Sequence, residues 1–194
     1  MIITSQNELY PIFLKVHQLQ VLIIGGGNVA LEKLSFLLKS SPNAKVTILA
    51  KEYHDELLAL AKEYHVNIQY GAYDCFFLQN KHLVIGATNN SVVNRTIQRE
   101  AKARNILVNI ADTPELCDFY LGGIVTKGHV KIAISTNGKS PTMAKRLRQL
   151  FEEVIPEDIN LLAENLNSYR QTLKLNFKEK VTHLNQLTKS LITN

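Results

Sequence analysis

The feature that most constrains this chain is a glycine-rich turn, GGGNVA at residues 25–30. It lies between an apolar, β-branched run at residues 19–24 and a stretch at residues 28–39 whose apolar side chains recur at helical spacing. The order strand, turn, helix is the context in which a G-x-G-x-x-A pattern carries information. A glycine turn without such neighbours is a weak signal.

Each small residue of the pattern has a separate physical purpose. Gly25 permits the sharp turn, Gly27 lets the backbone approach a pyrophosphate, and Ala30 allows close packing of the helix on the strand. The helix start at Asn28 and Val29 then offers N–H groups and the positive end of the dipole to phosphate anions. The turn therefore predicts dinucleotide binding, with a purely structural tight turn as the alternative.

The surrounding pattern predicts an α/β fold. The first 112 residues alternate between short β-branched runs and longer amphipathic stretches, as βαβ units do. Right-handed crossovers would assemble them into a doubly wound parallel Rossmann sheet. Strands are predicted at residues 19–24, 45–49, 66–70, 82–86 and 106–110, and helices at residues 28–39, 52–65 and 91–104.

The pattern changes after residue 112. Residues 123–135 alternate as a hairpin with a tight turn at Lys127 and Gly128, and its exposed edges make it a candidate dimer contact. We therefore expect a Rossmann domain at residues 1–112 and a small strand-rich dimerisation region at residues 113–145. A helical module is expected at residues 146–194.

Two helical segments are predicted toward the end of the chain. Ser140 and Pro141 are a good cap and first-turn pair for a helix through Phe151. Residues 157–192 contain neither glycine nor proline, and their apolar residues indicate a helical tail. Its leucines include Leu173, Leu175 and Leu191.

Two further strand ends are candidate cofactor contacts. Nicotinamide cofactors usually need an acidic residue at the end of the second strand to hold the ribose hydroxyls, and here the tip is Ala50, Lys51 and Glu52. Glu52 could reach back, or Lys51 could favour a 2′-phosphate, so spacing leaves NAD and NADP both open. Thr88 and Asn89 follow the fourth strand, where they lie over a cofactor or merely form a turn that caps the next helix.

The fifth strand is expected to deliver Asp112 to the same sheet edge. A carboxylate there is able to take a proton while a hydride leaves to a nicotinamide. A capping or turn role for Asp112 is equally compatible with the spacing, and Asp118 is a rival acid.

Charge and composition limit the partners. Residues 127–148 contain six basic residues and no acidic one, which favours an anionic partner or, alternatively, a solvated basic face. No nucleic-acid motif, transmembrane run or secretory signal is readable, so we expect no nucleic-acid or membrane partner and a cytoplasmic location. The two cysteines are expected to be buried thiols, and the six histidines form no metal-ligand spacing.

Six motifs occur in order over roughly residues 9–155. They are YPIFLK at 10–15, GGGNVA at 25–30 with Lys33, GATNN at 86–90 with Asn94 and Arg95, VNIAD at 108–112, LCDFY at 116–120 and AISTNGKSP at 133–141. With these motifs in this order, the chain resembles the siroheme synthase family and is similar to its precorrin-2 dehydrogenase and sirohydrochlorin ferrochelatase module.

The resemblance implies NAD-dependent oxidation of precorrin-2 to sirohydrochlorin and, in bifunctional members, insertion of Fe²⁺ to give siroheme. It also implies a homodimer followed by a small helical module. By motif match the catalytic acid is Asp112. The cofactor contacts carried over are Gly25, Gly27, Asn28, Val29, Ala50, Lys51, Glu52, Thr88 and Asn89.

For the substrate, the resemblance places Ser135, Lys139 and Ser140 along the tetrapyrrole cleft. Arg146 adds positive charge from the basic stretch, which suits a polycarboxylate such as precorrin-2. No permanent metal site is expected. We expect the methylation that precedes this oxidation in fused siroheme synthases to be carried out elsewhere, and the tail from residue 157 matches no family motif.

Two other functions remain open on sequence grounds. One is a regulatory module that binds NAD(H) and transmits its redox state to a partner. The other is a dehydrogenase for a small unrelated substrate. Neither requires both an acid at the end of strand five and a basic stretch, and this chain has both.

Overall fold

The structure is a computed structural model, and it describes residues 7–189. The chain divides into two compact units, one ending at Gly122 and one beginning at Gly123. Within the described residues, the first unit contains a five-stranded sheet and the second a two-stranded sheet followed by helices. The finer division into three domains stays a prediction.

The first unit is built on a parallel sheet with strand order β3-β2-β1-β4-β5. The chain runs outward from β1 to β3 and then returns to the other side of β1, so a topological switch point lies between β1 and β4. The predicted doubly wound parallel sheet is thereby confirmed. The strands are β1 (Gln20–Ile24), β2 (Lys45–Ala50), β3 (Asn67–Tyr70), β4 (Leu83–Gly86) and β5 (Leu107–Ile110).

Both faces of this sheet are buried because β1 is apolar at every position from Val21 to Ile24. Val21 and Ile23 pack with helices α1 (Asn28–Ser40) and α2 (Asp55–Glu63). Leu22 and Ile24 pack with α3 (Ser91–Lys102) on the other face. Because β1 pairs in parallel with both β2 and β4, the carboxyl ends of the three strands meet at one edge of the sheet.

The predicted helix over residues 52–65 is wrong at its first turn. α2 begins at Asp55, because the preceding residues form a loop that closes over the glycine turn. The His54 N–H donates to the Gly26 carbonyl at 2.9 Å, which commits that backbone to a contact between elements. The helix ends at Glu63, two residues before His65 takes a positive φ of 55°.

The second unit begins with the predicted hairpin, β6 (Gly123–Lys127) and β7 (Val130–Ile134), which is antiparallel. Gly128 in its turn has φ +55°, and the following His129 N–H donates to Asn160 Oδ1 at 2.7 Å. The helices are α4 (Pro141–Val154), α5 (Ile159–Thr172) and α6 (Phe177–Leu187). Ser140 caps α4, accepting the Met143 N–H at 3.1 Å, as the sequence predicted.

The tail is interrupted where a continuous helical stretch was predicted. Asn176 caps α6 by accepting the Glu179 N–H at 3.0 Å, and the Glu179 carboxylate accepts the Asn176 N–H at 3.3 Å. This capping box starts a new helix without glycine or proline. Leu173 and Leu175 therefore lie between α5 and α6, while Leu191 lies outside the described residues.

Several sequence expectations concern single residues or absences. Cys75 and Cys117 are free and only partly buried, so the expectation of buried thiols holds in part. Over residues 7–189, no group of three His, Cys, Asp or Glu side chains is arranged to hold a metal ion. No helix in that range has both the length and the apolar character needed to span a membrane.

Candidate cofactor site and catalytic acid

The first two glycines of the turn are needed because neighbouring strand ends lie against them. Gly25 has φ +134°, and a Cβ there would lie 2.3 Å from the Ala87 carbonyl oxygen. A Cβ on Gly26 would lie 1.9 Å from the Glu52 carbonyl oxygen. The residues that follow β2 and β4 therefore leave no room for a side chain at Gly25 or Gly26. The G-x-G-x-x-A pattern did not predict that position 26 must be glycine.

Gly27 differs from Gly25 and Gly26 because there is space for a Cβ at this position. The nearest atoms to a Cβ there are His54 ring atoms at 4.0 Å. Gly27 is the N-cap of α1, no side chain caps that helix, and no acidic residue occurs in its first turn. The N–H groups of Asn28 and Val29 belong to this turn, where α-helical donors lack intrahelical partners. An uncapped helix start beside open space fits a pyrophosphate.

The end of β2 is fastened by Tyr53. Its hydroxyl accepts the Ala50 N–H at 2.8 Å and lies within hydrogen-bond distance of the Ile48 and Gln69 carbonyl oxygens. Burial raises the pKa of Tyr53, which keeps the phenol neutral. Lys51 and Glu52 beside it are exposed, and neither has a partner among residues 7–189.

His54 is the side chain at this edge that the sequence analysis missed. Its Nδ1 lies 2.9 Å from Asn28 Oδ1, so the loop after β2 reaches the start of α1. A cavity of about 410 Å³ is lined by Asn28, Tyr53, His54, Asp55 and Glu56. Nothing in the local sequence signals this contact, because His54 was placed inside a predicted helix.

The segment after β4 combines a structural and an open position. The Thr88 hydroxyl donates to Asn94 Oδ1 at 2.7 Å, and Asn94 Nδ2 donates to the Thr88 carbonyl at 3.0 Å. Asn90 caps α3 by accepting the N–H groups of Val92 and Val93. The turn-and-cap alternative therefore accounts for Thr88 and Asn90. Asn89 is exposed and has no hydrogen-bond partner in the described part of the chain.

Asp112 follows β5 at the same carboxyl edge of the sheet. It is exposed, has φ +58°, and its carboxylate has no partner among residues 7–189. A positive φ is uncommon for a residue with a side chain, although aspartate tolerates it better than most. Asp112 is thus held in an unusual conformation with its acid free to react.

The loop that carries Asp112 is fixed by Cys117. The Cys117 sulfur accepts the Ile110 N–H at 3.3 Å and lies 3.2 Å and 3.4 Å from the Ile110 and Thr113 carbonyl oxygens, either of which can accept its S–H. Burial raises the pKa of the Cys117 thiol, which keeps its proton available for that bond. These contacts join Cys117 to the end of β5 and so hold the loop that carries Asp112 in place.

Asp118, the rival acid, is engaged in structural contacts. Its carboxylate accepts the Val108 N–H at 3.1 Å and pairs with Lys102 at 3.1 Å. Its own N–H donates to the Val108 carbonyl at 2.7 Å, which extends the edge of β5. These contacts leave Asp112 as the unengaged acid of the two.

The predicted substrate residues all lie in the second unit. The Ser135 hydroxyl accepts the Asn137 N–H at 3.1 Å after β7, Ser140 caps α4, and Arg146 donates to Gln149 Oε1 at 3.0 Å on α4. Lys139 is exposed at the turn before α4. A tetrapyrrole-binding role for these residues stays a prediction.

The basic stretch is partly neutralised within that unit. Lys127 pairs with Glu157 and Arg148 with Glu152, so two of the six basic groups face carboxylates outside the stretch. In the range 123–189, Lys139, Lys145 and Arg146 have no carboxylate partner. Positive charge thus concentrates around α4 and the turn before it.

These observations first define a class: a doubly wound parallel sheet with an uncapped glycine turn at its switch point is a dinucleotide-binding fold. The chain belongs to the family described as "Putative NAD(P)-binding", which matches residues 12–123. "Sirohaem biosynthesis protein central" matches residues 127–153. The expectation of a nicotinamide dinucleotide is confirmed by the first match.

Relatives of known name agree with the two matches. The siroheme synthase of Pseudoalteromonas atlantica is 38% identical over 170 residues, which cover 88% of this chain and 36% of the relative. That of Psychrobacter arcticus is 38% identical over 165 residues, which cover 85% of this chain and 30% of the relative. The resemblance to the siroheme synthase family is confirmed, and the chain spans about a third of the length of these relatives.

A solved structure supports the fold. "SirC, precorrin-2 dehydrogenase" superposes with a TM-score of 0.75 at 21% identity, covering 92% of this chain and 89% of that one. At this identity the likeness concerns the fold. The superposed residues come from both units, because 92% of the chain is more than either unit contains.

Proposed function

We propose that this chain oxidises precorrin-2 to sirohydrochlorin with NAD⁺ as the acceptor. The observation that carries the proposal is Asp112, an unpartnered carboxylate at the sheet edge that also holds the open glycine turn. Two strand spacings, about 10 Å, separate the ends of β1 and β5. The named activities of the relatives and of the SirC structure support the same reaction.

The chemistry requires removal of a hydride and a proton from the macrocycle. A bound nicotinamide supplies the hydride acceptor. Asp112 accepts the proton, and no hydrogen-bond donor among the described residues competes for its carboxylate. Gly27 and the start of α1 hold the pyrophosphate and so fix the cofactor along the edge.

The test is anaerobic incubation of the purified chain with precorrin-2 and NAD⁺. Appearance of the sirohydrochlorin spectrum with one NADH formed per macrocycle supports the proposal. NADH binding without any turnover would instead favour a regulatory module that senses the nicotinamide redox state.

We further propose NAD⁺ rather than NADP⁺, through Glu52. The Glu52 carbonyl lies against Gly26, so this residue adjoins the turn that receives the cofactor. We expect Glu52→Gln to raise the KM for NAD⁺ about tenfold or more, because a charge-assisted hydrogen bond to a ribose hydroxyl contributes about 1.5–3 kcal/mol. Steady-state kinetics with both cofactors measure the effect.

Lys51→Ala is the matched control for Glu52. It removes the neighbouring exposed charge, and we expect little change in the KM for NAD⁺. The assignment would be reversed by two results together. The wild-type chain would turn over faster with NADP⁺ than with NAD⁺, and Lys51→Ala would strongly raise the KM for NADP⁺.

For substrate binding we propose that Lys139 and Arg146 attract the carboxylates of precorrin-2. We expect Lys139→Glu combined with Arg146→Glu to raise the KM for precorrin-2 about tenfold at low salt, with a smaller difference at high salt. Kinetics at two ionic strengths measure this. Both residues are exposed, so the fold should be retained.

A control with the same change in net charge is Lys174→Glu combined with Lys178→Glu. Both lysines are exposed and lie outside the basic stretch. If this control raises the KM equally, the effect reflects overall charge and the assignment of Lys139 and Arg146 is wrong.

We also propose that the chain inserts Fe²⁺ into sirohydrochlorin and that it forms a homodimer. Support for both comes from the siroheme synthase resemblance, and the two-stranded sheet of β6 and β7 has unpaired outer edges within residues 123–189. Adding Fe²⁺ to sirohydrochlorin with and without the protein tests chelation. Sedimentation at several concentrations tests the dimer.

A further inference from the structure

The imidazole of His54 is held beside the open face of the glycine turn. Its Nδ1 lies 2.9 Å from Asn28 Oδ1, while its backbone N–H donates to the Gly26 carbonyl at 2.9 Å. The ring atoms Cε1 and Nε2 are the atoms nearest to a Cβ built on Gly27, each at 4.0 Å. The side chain is therefore fixed at Nδ1, and its other end adjoins the surface that fits a pyrophosphate.

The hydrogen bond to Asn28 determines what Nε2 offers. We assign the proton to Nδ1, because the neighbouring Asn28 Oδ1 can only accept a hydrogen bond. In the neutral ring Nε2 then has a lone pair, which repels a phosphate oxygen. In the protonated ring Nε2 becomes a donor, and a charge-assisted bond to phosphate is among the stronger hydrogen bonds.

We propose that His54 is a cofactor-binding residue that takes up a proton when the dinucleotide binds, so that its Nε2–H donates to the pyrophosphate. This inference deepens the cofactor site of the proposed function. It rests on dinucleotide binding and is independent of the tetrapyrrole, so the two can fail separately.

The charged groups around His54 make its protonation consequential. Its own segment contributes Lys51 and Glu52 before it and Asp55 and Glu56 after it. The phenol of Tyr53 is neutral, and α1 presents the uncharged Asn28. Farther along α1, the Glu32 carboxylate accepts a hydrogen bond from Lys33 at 2.8 Å. Carboxylates thus outnumber cations here, and a cationic His54 offsets them for an entering anion.

The proton linkage has a definite sign. Histidine changes charge between pH 5 and 8. If the bound state holds one more proton than the free state, affinity for NAD⁺ rises as pH falls through this range, and Kd changes at most about tenfold per pH unit. Isothermal titration calorimetry of NAD⁺ binding from pH 6 to pH 8.5 measures this. Repeating it in two buffers of different ionisation enthalpy counts the protons directly.

We expect the wild-type chain to take up a fraction of a proton per NAD⁺ at neutral pH and to bind more weakly as the pH rises. His54→Asn should bind weakly, without proton uptake and without pH dependence. Asparagine is a favoured N-cap residue, so this variant keeps the start of α2 intact. His54→Gln provides a second variant, and thermal unfolding checks that both are folded.

The matched control is His17→Gln. His17 is exposed in the 3₁₀ turn Val16–Gln18 before β1, at the opposite end of the strands from the glycine turn. We expect its proton uptake to equal that of the wild type. The proposal is overturned if wild-type binding takes up no proton, if NAD⁺ does not bind, or if His54→Asn and His54→Gln keep the wild-type pH dependence. Failure of precorrin-2 turnover alongside the expected binding data would overturn the proposed function alone.

Discussion

Asp112→Asn is expected to lower kcat for precorrin-2 oxidation by on the order of 10² or more while leaving the Kd for NAD⁺ unchanged. The amide has nearly the same size as the acid but cannot accept the proton that leaves the macrocycle. Asp112 is exposed and unpartnered among the described residues, so its replacement disturbs no internal contact. Anaerobic single-turnover kinetics and a cofactor titration measure the two quantities.

Asp118→Asn is the control for this change, since it removes an equal charge six residues away. The asparagine oxygen is still able to accept the Val108 N–H, although the ion pair with Lys102 is lost. We expect a somewhat lower unfolding temperature and nearly unchanged kcat. Full activity in Asp112→Asn, or a loss confined to Asp118→Asn, would contradict the catalytic assignment.

The second large effect concerns two adjacent glycines. Gly27→Ala should fold normally, because Gly27 has φ −95° and no atom lies closer than 4.0 Å to the new Cβ. The methyl group then occupies the surface that receives the pyrophosphate in the proposed cofactor site. We expect the Kd for NAD⁺ to rise at least about tenfold, which corresponds to about 1.4 kcal/mol. Calorimetry of NAD⁺ binding measures the loss.

Gly26→Ala should instead destabilise the fold. The new Cβ would lie 1.9 Å from the Glu52 carbonyl, so the loop after β2 must shift. Forced overpacking of this kind costs about 1–3 kcal/mol, which lowers the unfolding temperature of a chain of this size by roughly 2–4 °C per kcal/mol. Equal unfolding temperatures for the two variants would show that the close approach to Glu52 is not maintained in solution.

Much of the first unit was predictable because its signals are local. A strand buried on both faces is a continuous apolar run, and β1 is such a run. The glycine turn and the helix after it follow from the same stretch of sequence. The end of β5, and with it the position of Asp112, follows from parallel strands ending at a common edge.

The errors arose where distant residues decide the local structure. α2 begins three residues later than predicted, because the Glu52 and His54 backbone contacts Gly26 from a different element. Helical periodicity carries no information about such a contact. The requirement for Gly26 and the position of His54 were missed for the same reason. The break before α6 is different, since its Asn176 and Glu179 capping box is visible in the sequence and was overlooked.

The Tyr53 hydroxyl has a consequence for how a ligand would be received. One partly buried phenol bridges backbone groups near the carboxyl ends of β2 and β3, beside the loop that closes over Gly26. At the proposed cofactor site, the end of β2 and the loop after it are therefore held in place by contacts within the protein before any ligand binds. Ligand binding then orders few additional residues, so the loss of conformational entropy on binding is small.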